Sequence, residues 1–322
     1  MSTAALSQPM PQPAAAASRL SAEAKGILLG LTAAAIWGSY LAMAKAGVSA
    51  GLSPSDIAVI RYGVAGLIML PWLIANGLMT CGGVGWLRAI PLALLVGPLF
   101  ILIGVGGYQF APLAHGAVMQ PAALTIASTL LAAVILSDRP TLARLLGIGV
   151  MLGGLVIIAG PGLMTIGSLT PIGDAMFVAA GAMWAVFSIM TKRWGVAPIP
   201  ATAAVSVLSA AVYVPGYLVF AGAERVLSAP IEMIAAQVLV QGVLSGVVAV
   251  IAFSRTVELI GPARAAVFPA LVPAVAIVLG LPIAGDVPTT LQLAGLVVVS
   301  MGLLFALGVI RLPATVLGRV SQ

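Results

Sequence analysis

Charged side chains are scarce in this chain. Only 7% of its 322 residues are Asp, Glu, Lys or Arg, whereas soluble domains carry roughly 25%. Because so few charges cannot cover a water-facing surface, the composition excludes a soluble globular protein. Hydrophobic residues make up 61% of the chain, and many lie in runs long enough for a membrane-spanning helix of about 20 residues. The sequence therefore predicts an all-α integral membrane protein.

Histidine and cysteine are nearly absent, with one residue of each, His115 and Cys81. A single cysteine excludes a disulfide within the chain and a multi-cysteine metal site. An intramembrane enzyme would need a buried nucleophile and base or a metal cluster, so we predict no catalytic residue, metal or cofactor. The net charge of +6 comes from basic residues scattered between apolar runs, a pattern that does not indicate nucleic-acid binding.

The apolar runs predict ten membrane-spanning helices joined by short connections. We place them at about 24–46, 55–76, 88–110, 115–136, 142–160, 171–192, 200–221, 231–254, 264–285 and 289–310. Residues 1–23 are rich in Ala, Pro and Gln, and we predict a disordered cytoplasmic tail there. Residues 311–322 are predicted to form a second cytoplasmic tail.

The distribution of Lys and Arg predicts the orientation. Eleven of the 14 basic residues fall on the side of the amino terminus, and the outer segments hold only Lys45, Arg61 and Arg225. Because cytoplasmic segments carry the excess of basic residues, both termini are predicted to be cytoplasmic. We expect a multi-pass protein of the bacterial cytoplasmic (inner) membrane.

The pattern A-x-W-x-x-[aromatic]-x-x-M-x-K occurs twice, around Trp37 and Trp184, 147 residues apart. The segment Asp-Arg-Pro-Thr at 138–141 likewise recurs as Asp-Val-Pro-Thr at 286–289, and we expect both Asp residues to cap the helices that follow. Residues 24–160 and 171–310 are therefore predicted to be two repeats of five helices each. An odd number of helices inserts the second repeat upside down relative to the first.

These motifs resemble the EamA-type members of the drug/metabolite transporter superfamily. The resemblance rests on W-G-x-[aromatic] from Trp37 to Tyr40, on Lys45, and on the duplicated D-x-P-T segment that opens helices 5 and 10. Within that family the chain looks most like bacterial exporters of aromatic and other neutral amino acids. The resemblance implies a secondary transporter that exports amino acids by alternating access, or alternatively one that exports other small metabolites or drugs.

Aromatic and polar residues inside the spans are candidates for a substrate site. Trp37 and Trp184 lie near the middle of their helices and either line a cavity or pack between helices. Gln237, Gln241 and Ser245 form one polar stripe, which faces either a wet cavity or another helix. The residues predicted to bind substrate are Trp37, Tyr40, Met43, Tyr108, Gln109, His115, Met119, Trp184, Phe187, Ser188, Gln237, Gln241, Ser245 and Phe268.

Four charged residues near helix ends are candidates for gates. Lys45 and Lys192 either close the two ends or extend to the lipid headgroups, and Arg255 and Glu258 form either a gate or an interfacial ion pair. Because no Asp or Glu is predicted in the middle of a span, proton coupling would depend on His115, Asp174 or Glu258, and His115 could equally be a solvated cap. Coupled and uncoupled export both remain open. A monomer is adequate, and a homodimer is compatible with the sequence.

Overall fold

Ten apolar helices make up most of the described part of the chain. The computed structural model describes residues 21–138 and 140–309, apart from the side chains of residues 262 and 263. Residues 1–20 of the first predicted tail and all of the second therefore lie outside the described residues. The helices are α1 (Ala22–Ser49), α2 (Pro54–Ala75), α3 (Trp86–Gln109), α4 (Leu113–Ile135), α5 (Leu142–Met164), α6 (Thr170–Trp194), α7 (Pro198–Phe220), α8 (Ile231–Ile260), α9 (Val267–Ala284) and α10 (Thr290–Ala306). Nine of them have at least 18 residues, and α10 has 17 residues within the described part of the chain. The prediction of an all-α membrane protein with ten helices is confirmed.

Short polar side chains fix several helix starts. Ser53 and Asp56 form a capping box at α2, and Thr289 and Gln292 form another at α10. Thr141 accepts a hydrogen bond from the Arg144 backbone N–H at the start of α5. The expectation that Asp138 and Asp286 cap α5 and α10 is therefore wrong, because the threonine three residues later occupies the position whose side chain reaches the free N–H groups.

Eight of the helices form a closed ring, in the order α1, α8, α2, α7, α3, α6, α4 and α9. The remaining two, α5 and α10, pack against each other outside the ring and contact α4. The near face of the bundle is the one that holds the first residue of α1, and the far face holds its last residue. Since consecutive helices alternate in direction, the near face holds the connections after α2, α4, α6 and α8.

Equivalent helices of the two repeats have equivalent neighbours. In the ring, α1 packs against α8 and α9, and its counterpart α6 packs against α3 and α4. The pair α5 and α10 is reciprocal as well, because Gly147 lies against Gly302 while Gly154 lies against Gly295. Residues that match in sequence thus meet crosswise, as antiparallel helices around a two-fold axis do. This arrangement is the inverted repeat that the odd helix count predicts.

The two equivalent helices α3 and α8 are irregular in the middle. α3 breaks at Gly97, before Pro98, and ends in a 3₁₀ turn at Gly106–Gln109. α8 changes to π-helix over Val238–Val248. Such breaks free backbone groups inside a membrane protein, where only other protein groups, water or a ligand can satisfy them. Tyr62 of α2 donates to the freed Val96 carbonyl at 2.6 Å.

The surface of the bundle is apolar and its interior is polar in places, as expected for a protein in lipid. Large hydrophobic side chains on the outside include Leu67, Val156 and Val278, each about 70% exposed. Gln237, Gln241, Ser245 and other polar side chains are instead buried. This distribution positions the polar groups around the interior of the ring.

Candidate functional site

Each repeat places its tryptophan on a phenylalanine of a neighbouring ring helix. The rings of Trp37 (α1) and Phe253 (α8) have centroids 5.3 Å apart, and so do those of Trp184 (α6) and Phe100 (α3). Phe187 packs edge-on against Trp184 at 5.8 Å. The side chains of Trp37, Trp184 and Phe187 are half-buried. Two aromatic surfaces therefore lie on different arcs of the ring, and both are suited to contact an apolar or aromatic group.

Polar side chains of α8 point at α1 in the same region. The Gln241 amide donates to the Tyr40 carbonyl at 3.3 Å, and the Gln237 amide donates to the Met43 carbonyl at 2.8 Å. Both side chains are completely buried, and neither amide oxygen has a hydrogen-bond donor among the described residues. On another side of α8, Gly242 permits close packing against α2, because a Cβ there would overlap Val64.

Arg61 of α2 reaches into the same group of helices. Its guanidinium lies 5.0 Å from the centroid of the Tyr40 ring and 5.8 Å from that of Tyr62. Nη1 donates to Ser245 Oγ at 3.0 Å and to the Gln241 carbonyl at 3.5 Å. The assignment of Arg61 to an outer segment is therefore wrong. A cation seven residues into an apolar helix indicates a buried or functional charge. The sequence does not reveal its partners, because they come from distant helices.

At the far face, polar bonds tie the ends of α1, α3, α4 and α6 together. Lys45 Nζ donates to the Tyr108 carbonyl at 3.1 Å and to the Ala111 carbonyl at 3.4 Å. The His115 ring, which is 4% exposed, is bonded through Nδ1 to Asp174 Oδ1 at 2.7 Å. His115 is thus not a solvated cap. The Leu113 backbone N–H donates to Asp286 Oδ2 at 2.8 Å, so Asp286 caps a helix of the opposite repeat.

Other predicted substrate residues have different surroundings. Tyr108 stacks on Phe177 at 4.9 Å, and its buried hydroxyl has no partner among the described residues. The Ser188 hydroxyl donates to the carbonyl of Trp184 in its own helix. Met43 is half-buried and Met119 is buried, Phe268 packs on Gly30 towards the near face, and Gln109 is exposed at the far face. The structure therefore does not bring Gln109 and Phe268 to the polar group around Arg61.

The remaining gating candidates lie at the near face. Lys192 is exposed at the end of α6. Arg255 and Glu258 form an ion pair at 2.7 Å, and both side chains are more than half exposed. An exposed ion pair of this kind contributes little to stability. Phe100 and Phe253 were not predicted from the sequence, because an isolated phenylalanine in an apolar helix carries no local sign of its partner.

Comparison with known proteins fits this architecture. The model of the EamA-like transporter family matches the chain twice, over residues 24–160 and 171–308. The uncharacterized transporter YyaM of Bacillus subtilis (strain 168) is 25% identical over 270 residues, which cover 81% of this chain and 87% of that protein. A protein of known crystal structure is similar in fold, with a TM-score of 0.59 at 15% identity over 90% of this chain and 98% of its own. The chain belongs to the EamA-like transporter family.

Proposed function

We propose that the chain is a secondary transporter that exports neutral amino acids, aromatic ones included, by alternating access. The observation that carries the proposal is the pairing of two kinds of surface inside the ring. Trp184, Phe100 and Phe187 form an aromatic surface. Arg61 of α2 and Gln237 and Gln241 of α8 each have a buried polar atom without a partner among the described residues. An amino acid has a matching apolar end and polar end.

The unpartnered amide oxygens of Gln237 and Gln241 support an ammonium group as part of the ligand. Buried acceptors in native proteins nearly always have a donor, and these two have none among the described residues. An ammonium group has three N–H donors and fits two neighbouring acceptors. We assign the Gln pair to the substrate's ammonium group and the aromatic surface to its side chain.

The orientation proposed from the charge distribution makes the near face cytoplasmic. Among the described residues, the exposed cations at the near face include Lys25, Arg88, Lys192 and Arg255, in agreement with the excess of basic residues on the cytoplasmic side. The transporter would then lie in the bacterial cytoplasmic membrane, and its repeats would span residues 24–160 and 171–310. A monomer contains every group that the proposal uses.

Alternating access requires that the two faces open in turn. At the far face, we propose that Lys45 closes the ring by holding the Tyr108 and Ala111 carbonyls. Its repeat counterpart Lys192 is exposed at the near face, together with the Arg255–Glu258 pair, and these groups are the proposed near-face gate. Inverted repeats exchange such roles when the transporter changes state.

Export of other small metabolites or drugs is the second candidate. The observation in its favour is the pair of aromatic surfaces at Trp37 and Trp184, which would accept an apolar molecule without an ammonium group.

The proposal is tested by counterflow into liposomes that contain the purified protein. Vesicles preloaded with unlabelled L-phenylalanine should accumulate labelled L-phenylalanine, and neutral amino acids should compete for this flux. Competition by an aromatic cation or dye together with no amino-acid flux would instead support the second candidate. The same assay with an imposed pH gradient distinguishes coupled from uncoupled export, since only coupled flux responds to the gradient when the membrane potential is clamped.

A further inference from the structure

Arg61 is a cation inside the membrane-spanning part of the bundle. It lies seven residues after Pro54, the first residue of α2, which places its Cα about 10 Å from that helix end at 1.5 Å per residue. The side chain is half-buried and its guanidinium lies among α1, α2 and α8. Charged groups at such depth are costly and almost always have a partner or a function.

The partners of Arg61 are all neutral. Two tyrosine rings, the Ser245 hydroxyl and the Gln241 carbonyl surround the guanidinium. Among the described residues, no Asp or Glu oxygen lies within 4.0 Å of its nitrogens. The carboxylate on the same helix, Asp56, is occupied by the Tyr217 hydroxyl at 2.6 Å, the Ser53 N–H at 2.7 Å and the Arg225 guanidinium at 3.4 Å. The positive charge of Arg61 is therefore uncompensated.

The guanidinium also has donors to spare. Both of its hydrogen bonds use Nη1, while Nε is buried without a partner. Nη2 donates to no group in the described part of the protein, and unlike Nε it is not closed off by protein atoms. Nη2 is therefore the donor that is open to a ligand, and a charged N–H donor of this kind suits a carboxylate oxygen.

The charge has no equivalent in the other repeat. The whole of α7, the counterpart of α2, contains no charged residue, and α3, the counterpart of α8, has no glutamine between its ends. Arg61 and the two glutamines thus lie on the side of the ring formed by α1, α2 and α8, whereas the Trp184 surface lies at α3 and α6. A molecule held between them would be oriented with its anionic end towards Arg61.

We propose that Arg61 binds the carboxylate of the transported molecule and that the substrates are small carboxylates with an apolar body. The identification of the substrates as amino acids rests on the proposed function, which this inference deepens. The requirement for a carboxylate rests on Arg61 alone. Tyr40, Tyr62 and Ser245 are positioning residues that hold the guanidinium in place.

The test is binding of three related probes to the purified protein in nanodiscs, measured by calorimetry. L-Phenylalanine and 3-phenylpropanoate carry the carboxylate, whereas L-phenylalaninamide does not. The wild-type protein should bind both carboxylates and bind the amide at least about tenfold more weakly, as loss of a charged hydrogen-bond partner implies. The Arg61→Gln variant should lose at least about tenfold in affinity for both carboxylates, and Arg61→Lys, which keeps the charge without the guanidinium, should lose less.

Arg88→Gln is the matched control, because the Arg88 side chain is exposed at the near face and its loss should leave binding unchanged. Wild-type affinity for the carboxylates in Arg61→Gln, equal affinity of the wild type for phenylalanine and its amide, or no binding of any probe would overturn the inference. If Arg61→Gln does not fold, Arg61→Lys provides the test. Wild-type affinity for the carboxylates in that variant, with undiminished selectivity for them over the amide, would overturn the inference as well.

The outcomes separate the two proposals. Arg61-dependent binding of 3-phenylpropanoate without any counterflow of amino acids would leave the carboxylate site standing and remove amino-acid export. Undiminished phenylalanine counterflow by Arg61→Gln would leave amino-acid export standing and remove the carboxylate site.

Discussion

His115 and Asp174 join the two repeats at the far face. They come from α4 and α6, their side chains are 5% and 11% exposed, and Nδ1 and Oδ1 are 2.7 Å apart. The second carboxylate oxygen of Asp174 is buried without a partner among the described residues. A buried bond of this kind between the two repeats is expected to stabilise their packing at the far face.

A double-mutant cycle should detect this coupling. His115→Ala and Asp174→Ala should each lower the melting temperature in detergent, and the double variant should lose less than the sum, with a coupling energy of about 0.5–3 kcal/mol for groups in contact. The physical reason is that either single change leaves a buried polar group unpaired. Additive effects would show that the two side chains do not stabilise each other.

For individual residues, the sequence predicts which side chains are candidates for the site, but it does not predict which residues they contact. Trp37, Trp184, Gln237, Gln241 and Ser245 were identifiable because repetition and helical spacing mark them. Arg61 was misassigned because hydropathy places it near a helix end, and its partner Ser245 is 184 residues away. A partner on a distant helix leaves no local pattern, and the same holds for Asp174 beside His115.

At the scale of helices, the contact between α5 and α10 is made by glycines. A Cβ on Gly154 would lie 2.9 Å from the Val299 backbone nitrogen and 3.0 Å from the Gly295 carbonyl oxygen. A Cβ on the neighbouring Gly153 would meet nothing within 4 Å. The two backbones are therefore in contact on one side of α5 only, in the manner of small-residue interfaces in membranes.

Alanine at these adjacent positions should have opposite effects. Gly154→Ala should destabilise the protein by about 1–3 kcal/mol because the two backbones must separate. Gly153→Ala should stabilise it by up to about 1 kcal/mol, since alanine has the higher helix propensity. Thermal unfolding of both purified variants measures this, and equal melting temperatures would contradict the packing described here.

The helices themselves were predictable, and their irregularities were not. Apolar runs and repeated motifs predict ten spans, with α1 and α8 extending a few residues further than expected. The π segment of α8 lies where Gly242 packs closely on Val64 of α2 and where Gln237 and Gln241 bond to α1. Such features arise from tertiary packing rather than from local propensity.

At the scale of the whole molecule, the proposed orientation can be read by labelling. Ile166 lies in the far-face connection between α5 and α6 and is fully exposed, and Met79 is 88% exposed in the near-face connection after α2. In intact cells, a membrane-impermeant maleimide should label Ile166→Cys and leave Met79→Cys unlabelled until the membrane is permeabilised. The reverse pattern would place the near face outside.

The native cysteine should not interfere with this experiment. Cys81 is completely buried, and burial raises the pKa of its thiol. Because the thiolate is the reactive form, the parent protein should stay unlabelled, and it serves as the control for both variants.

In the proposed transport cycle, substrate passes through the ring between the aromatic surface and the polar helices. The most direct test is counterflow of labelled L-phenylalanine by the wild type, Trp184→Ala and Trp86→Ala in liposomes, at equal amounts of folded protein. Trp86 is the matched control, because its indole donates to the Leu78 carbonyl in a near-face connection. We predict saturable flux for the wild type and Trp86→Ala, and a loss of about tenfold for Trp184→Ala, as removal of a buried aromatic contact implies. Equal flux by all three proteins, or no saturable flux by the wild type, would contradict the account.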